Sequence, residues 1–183
     1  HKDREAVVTM NYTLGGGGFS SRLMKVVRSE GGKTYGVRSS FSMSDHDGTF
    51  SVSTFTRNKE LVNTVGLVRK ELARFLETPP PADEVKAAKG KIAGGYAIGF
   101  QTSSALVSRL LSMHLRKQPL TRLTEFAVRI FAIKDDALAS AAKAHLRPGN
   151  LVAAVVGKAA VVGPMLQAAK IPYTTVAYLD PIS

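Results

Sequence analysis

Asn11-Tyr12-Thr13-Leu14-Gly15-Gly16-Gly17-Gly18-Phe19-Ser20-Ser21-Arg22-Leu23 is the stretch on which the reading of this chain turns. Residues 5–14 have helical character, and four consecutive glycines then stop the helix by opening backbone conformations that other residues avoid. Ser20 or Ser21 offers an N-cap for a second helix, which runs through Leu23, Val26 and Val27 towards Gly31-Gly32. The chain is therefore expected to begin with two helices joined through a glycine-filled corner.

Beyond that corner the apolar period changes to two. Tyr35, Val37, Phe41 and Met43 share one parity, with Arg38, Ser40 and Ser42 interleaved. Ser44-Asp45-His46-Asp47-Gly48 is a turn, and Phe50, Val52 and Phe55 lie in a returning strand, which predicts a β-hairpin. On that parity Tyr35 would turn its ring into the core as an ordinary sheet aromatic. Leu61, Val65, Val68, Leu72 and Phe75 then recur at helical spacing behind Asn58, a capping residue. Thr78-Pro79-Pro80-Pro81 breaks this helix, and Pro81-Ala82-Asp83-Glu84 opens the next. Further helices are expected over 103–116, around 121–130, and from Lys134-Asp135-Asp136 to just before Arg147-Pro148-Gly149. Leu151-Val152-Ala153-Ala154-Val155-Val156 is apolar at every position, which predicts a strand buried on both faces. A helix near 159–169 and a strand near 173–178 follow. The order predicts a single α+β domain over residues 1–183: a mixed, largely antiparallel sheet containing the hairpin, covered by several helices on one face.

Composition and motif spacing exclude most self-contained chemistry. The net charge is +11, but the basic residues are spread over successive helical faces and no aromatics interleave with them, so no nucleic-acid partner is expected. Without cysteine there can be no disulfide, thiolate zinc site or thiol nucleophile. No apolar run approaches the roughly 18 residues that a membrane span needs. Gly32-Lys33-Thr34 resembles the end of a phosphate-binding loop, yet the position that requires the leading glycine is Val27, inside a predicted helix. The four histidines, His1, His46, His114 and His145, show neither H-E-x-x-H nor H-x-x-E-H spacing, so no metal is expected on this chain. His114 shares a helical face with Leu106, Val107, Leu110 and Leu111 and reads as a core residue, whereas His46 reads as solvated in its turn. No G-x-S-x-G elbow occurs. The charged start, His1-Lys2-Asp3-Arg4-Glu5, is what a segment cut from a longer polypeptide would show, and it leaves export open.

The opening motif resembles a signature of the pitrilysin/insulinase family of zinc metalloproteases. There an asparagine and a leucine precede three or four glycines, followed by a serine-arginine-leucine helix. The match continues through Arg28, Glu30, Gly32 and Tyr35, which is similar to the family's arginine–glutamate–glycine–tyrosine pattern at the same spacing. The resemblance covers nearly the whole chain and lacks only the strand that the family places before its first helix. It implies a pitrilysin-like αβ domain of the type that lacks H-x-x-E-H, with zinc held by a companion domain or subunit that carries that motif. It further implies that Arg28 and Tyr35 act across the cleft on a peptide substrate, and that Gly15, Gly16, Gly17, Gly18 and Phe19 form part of the substrate-binding surface. A guanidinium can hold a substrate carbonyl, and a phenol can donate to the oxyanion that forms as the scissile carbonyl is attacked. The family often has a bulky apolar residue and alanine or serine before the tyrosine, where Lys33 and Thr34 stand here, a difference that bears on substrate preference.

Two functional classes follow. The leading one is the substrate-gripping, non-zinc half of a zinc endopeptidase, inactive alone. The other is a catalytically silent scaffold subunit of the same family, which would have no need to keep Arg28 and Tyr35. Family habit and an alanine- and arginine-rich composition lead to the expectation of a bacterial exported, periplasmic location.

Overall fold

Residues 3–30, 32, 34–43 and 48–177 are described by the computed structural model of the chain, except for the side chains of Ser29, Glu30 and Asp135. His1, Lys33, the turn Ser44–Asp47 with His46, and the end of the last predicted strand at 178 lie outside the described residues.

Helix α1 spans Arg4–Asn11 and buries Ala6, Val7 and Met10. It does not stop at the first glycine but widens into a π-helical turn, Tyr12–Gly16, closed where Gly17 N–H donates to Tyr12 O at 2.8 Å. Two of the four glycines therefore lie inside the turn, and the reason is close packing. A Cβ on Gly15 would lie 2.7 Å from the Ser39 backbone nitrogen and 2.9 Å from Leu23 Cδ1; one on Gly17 would lie 2.6 Å from Tyr12 O. Gly18, at φ +62°, supplies the left-handed step that turns the chain back. The second helical stretch begins at Arg22 and is π-helical over Met24–Glu30, with Leu23, Met24 and Val27 buried.

The hairpin forms as expected. Strands β1 (Thr34–Met43) and β2 (Gly48–Thr56) pair antiparallel, with Phe41 opposite Phe50 and their ring centroids 4.8 Å apart. Val37 and Ser39 face inward, whereas Ser40 and Ser51 meet hydroxyl to hydroxyl at 3.0 Å on the exposed face. The inward face packs on α1 and both π-helical stretches. Asn11 and Ser39 lock the two layers together: Asn11 Nδ2 donates to Ser39 O at 3.2 Å and Ser39 Oγ donates to Asn11 Oδ1 at 2.7 Å.

The remaining helices are α2 (Leu61–Glu77), α3 (Ala82–Ile98), α4 (Ser103–Leu115), α5 (Thr121–Thr124), α6 (Phe126–Phe131), α7 (Asp135–His145) and α8 (Ala159–Ala168). The helix expected around 121–130 is thus two short ones. Leu72 and Phe75 of α2 and Leu138, Ala141 and Ala142 of α7 join α1 and Val37 in one apolar core, and α1 also touches α3 and α6. Arg22 ties the glycine corner to the proline break. Its guanidinium donates to Thr78 O at 2.8 Å and to Pro79 O at 3.3 Å, pairs with Glu84 at 3.3 Å and stacks 5.2 Å from the Phe75 centroid.

Three expectations fail in detail within this α+β architecture. Leu151–Val156 is not a buried strand: it carries no ladder, and Val152 and Val156 are fully exposed. An apolar run can specify an extended chain, but a strand also needs a hydrogen-bonded neighbour, and no described strand pairs with it. Residues 173–177 likewise form no strand. His114 is exposed rather than a core residue, as are Leu106, Val107 and Leu111, while Met113 is the buried residue of α4. An amphipathic stripe asks for a cover, and the described elements supply none there.

Because Gly15 is wedged against Ser39 while nothing lies within 4 Å of a Cβ built on Gly18, the two glycines should respond differently to alanine. In urea denaturation, Gly15→Ala is expected to cost about 3 kcal/mol through overpacking. Gly18→Ala should cost about 1 kcal/mol through its left-handed backbone alone. Equal losses would mean that the corner is not held by packing on β1.

Candidate functional site

Tyr35 stands at an irregularity in the hairpin. Thr34 pairs with Thr56 and Val37 with Thr54, so β1 places Tyr35 and Gly36 opposite the single residue Phe55. This β-bulge shifts the side-chain parity by one. Val37 and Ser39 point into the core, but Tyr35, which on simple alternation would join them, is 95% exposed. Hydroxyls fasten the bulge. Thr34 Oγ1 accepts from Gly36 N–H at 3.1 Å, Thr54 Oγ1 lies 3.0 Å from both Thr34 Oγ1 and Gly36 O, and the Thr34 hydroxyl also reaches Phe55 O. The Tyr35 phenol makes no hydrogen bond to any described residue.

Arg28 lies on the π-helical stretch Met24–Glu30, which packs on β1. Its guanidinium carbon sits 4.6 Å from the centroid of the exposed Phe19 ring, within cation–π range. It pairs with no described carboxylate, and its charge is oriented by an aromatic face. The sequence-predicted residues thus fall into two groups. Gly15 is buried against β1, and Gly16 and Gly17 are half-buried in the corner. Gly18 and Phe19 are exposed, and Arg28 is brought onto Phe19.

A cavity of about 200 Å³ opens beside this region, between Val7, Val8 and Asn11 of α1, Tyr12, and the β1 residues from Arg38. Among the described residues no three His, Asp or Glu side chains gather where they could hold a metal ion, so zinc does not fit the side chains seen here. No helix among the described residues is long and apolar enough to cross a membrane.

Sequence reasoning missed the residues that set the Tyr35 geometry, namely Thr34, Gly36 and Thr54, and it missed Phe55, exposed opposite the bulge. A signal was present: a lone glycine inside a strand pattern marks a bulge, and Gly36 directly follows Tyr35.

The chain is 29% identical over 140 residues to an uncharacterized zinc protease of Streptomyces coelicolor, covering 76% of this chain and 30% of that protein. It is 30% identical over 99 residues to an uncharacterized zinc protease of Mycobacterium tuberculosis, covering 54% of this chain and 23% of the relative. The chain thus spans less than a third of the length of these curated relatives. Among solved structures, a peptidase M16 inactive domain from Pseudomonas fluorescens superposes with a TM-score of 0.74 at 32% identity, covering 81% of this chain and 35% of that one. A protease from Helicobacter pylori shares the fold at 16% identity, with a TM-score of 0.68 over 81% of this chain and 35% of its own. The family described as the peptidase M16 inactive domain matches residues 1–92, which hold the glycine corner, the hairpin, α2 and most of α3. The chain belongs to the peptidase M16 inactive-domain family.

Proposed function

We propose that this chain is the non-zinc half of a zinc metalloendopeptidase, inactive alone and completing the active site of a companion domain or subunit that carries H-x-x-E-H. The observation that carries the reading is the bulge at Tyr35–Gly36, which turns a sheet aromatic out of the core and leaves its phenol exposed, with no hydrogen bond to a described residue. A purely structural tyrosine at that register would gain by burying its ring, about 2 kcal/mol or more of apolar transfer.

The zinc chemistry belongs to the companion. This chain contributes polar groups placed before the substrate arrives. The Tyr35 hydroxyl donates to the oxygen of the scissile carbonyl as negative charge develops on it, and the Arg28 guanidinium holds a neighbouring substrate carbonyl. Phe19, stacked under Arg28, limits the swing of a long side chain and lowers the entropy lost on binding. Gly18 and Phe19 line the peptide's path, and Gly15, Gly16 and Gly17 act by letting the corner approach β1. Export to a bacterial periplasm is part of the same reading and rests on composition and family resemblance.

The chain by itself should hydrolyse no unstructured peptide. Mixed with its H-x-x-E-H companion and zinc, it should support cleavage, and Tyr35→Phe should lower kcat at least about 10-fold, as expected for the loss of an oxyanion donor worth up to about 3 kcal/mol. Arg28→Ala should act mainly on KM. An active pair indifferent to both substitutions would leave the chain as a catalytically silent scaffold.

The bulge gives an independent check. Thr54→Val removes the hydroxyl that braces Thr34 and Gly36 without touching Tyr35. In the reconstituted pair it should lower kcat by several-fold, about 1 kcal/mol in a neutral hydrogen bond, with little change in KM. Unchanged kcat would show that Tyr35 does not depend on this support.

A further inference from the structure

Away from Tyr35, four arginines converge on one small cavity. It has a volume of about 40 Å³ and is lined by Arg4, Glu5 and Val8 of α1, Arg109 of α4, Arg122 of α5, and Phe126 and Arg129 of α6. Glu5 is the one carboxylate in this lining, and it is already engaged: a single oxygen, Oε1, takes Arg122 Nη2 at 3.2 Å and Arg129 Nε at 3.1 Å. Arg129 is further occupied by Arg122 O at 2.7 Å and by Glu125 at 3.5 Å.

Arg4 and Arg109 have no such partner. Neither makes a hydrogen bond or ion pair with a described residue, and Arg109 Nε is buried without an acceptor. Burial lowers the pKa of Arg4 from its ordinary value, Arg109 adds to the effect, and Arg122 and Arg116 press the same way against the opposing pull of Glu5. A buried guanidinium nitrogen without an acceptor is costly, and guanidiniums that outnumber the carboxylates among them are costlier still. Phe126, on the cavity wall, is held by the Tyr96 ring, whose centroid lies 3.9 Å away.

We propose that this cavity is a binding site for a phosphate group, held between Arg4 and Arg109 as Glu5 is held between Arg122 and Arg129. The four lining arginines against Glu5 leave a charge of +3. A phosphate dianion removes two of those charges where a carboxylate removes one, and it offers enough acceptor oxygens to serve both planar guanidinium forks. The cavity admits one compact oxyanion, so any remainder of a phosphate ester extends into solvent. The inference uses no residue of the proposed peptidase site and stands apart from it.

The test is calorimetric titration of the purified chain with inorganic phosphate, at ionic strength matched with sodium chloride, alongside glycerol phosphate and acetate. Saturable phosphate binding is expected, weakened about 10-fold or more in Arg109→Gln and Arg4→Gln by loss of a charge-assisted fork. Arg109→Lys, which keeps the charge but not the fork, should bind at an intermediate level. In phosphate-free buffer Arg109→Gln should raise Tm, since it relieves repulsion and breaks no hydrogen bond or ion pair to a described residue, and this reading also shows that the variant is folded. Binding of inorganic phosphate alone supports the site and assigns it to the free ion; equal binding of glycerol phosphate supports it and assigns it to a phosphate ester. Acetate binding as tightly as phosphate, heats equal to those of added chloride, or unchanged affinity in both glutamine variants would overturn the proposal.

Discussion

The reciprocal hydrogen bonds between Asn11 and Ser39 are the constraint on which the rest of the structure depends. They sit where the end of α1 widens into the π-helical turn, and Gly15 lies against the same serine. Each bond is worth only about 1 kcal/mol net. Their importance is positional: they fix the height of the hairpin relative to α1, and Ser39 is nearly completely buried, so a broken pair leaves polar atoms stranded. From that height follow the burial of Val37, the seat of the second π-helical stretch on β1 and the place where the bulge must occur. The glycines matter for the same reason, because any side chain at Gly15 would push the two layers apart.

The opening motif divides into two kinds of residue. Asn11, Gly15 and Arg22 act within the fold: Asn11 on β1, Gly15 under Ser39, and Arg22 on the carbonyls that end α2 and on Glu84 at the start of α3. Phe19, Arg28 and Tyr35 spend little on the fold. Phe19 and Tyr35 are exposed, and Arg28 rests on Phe19 without a described counter-ion. One short segment thus carries both the packing that defines the domain and side chains that the packing leaves exposed.

Much of this was legible in the sequence, for physical reasons that can be named. The hairpin announced itself through period-two alternation, and α2, α3 and α7 through helical spacing with proline or acidic starts. Arg28 and Tyr35 were singled out by family resemblance at motif spacing, and the exposure of Tyr35 could have been anticipated from Gly36. The π-helical turns were not legible, because their hydrogen bonds span five residues and depend on tertiary contact with β1 and not on local propensity. The clamp made by Arg22 joins residues more than fifty positions apart and leaves no local trace. Apolar runs misled twice, at Leu151–Val156 and along α4, because hydrophobicity reports a demand for burial without saying which surface meets it.

Leu151–Val156 carries a colloidal consequence. A short, β-prone, uncharged segment without proline, with Val152 and Val156 fully exposed and no ladder to any described residue, is a template for copies of itself. What opposes that pairing between separate molecules is the net charge of +11, which makes them repel before strands can meet. That repulsion reaches only about 8 Å at physiological ionic strength and shrinks to about 3 Å at 1 M salt. The basic composition therefore has a use that requires no ligand at all: it opposes pairing of this apolar segment between molecules, and concentrated salt withdraws the protection.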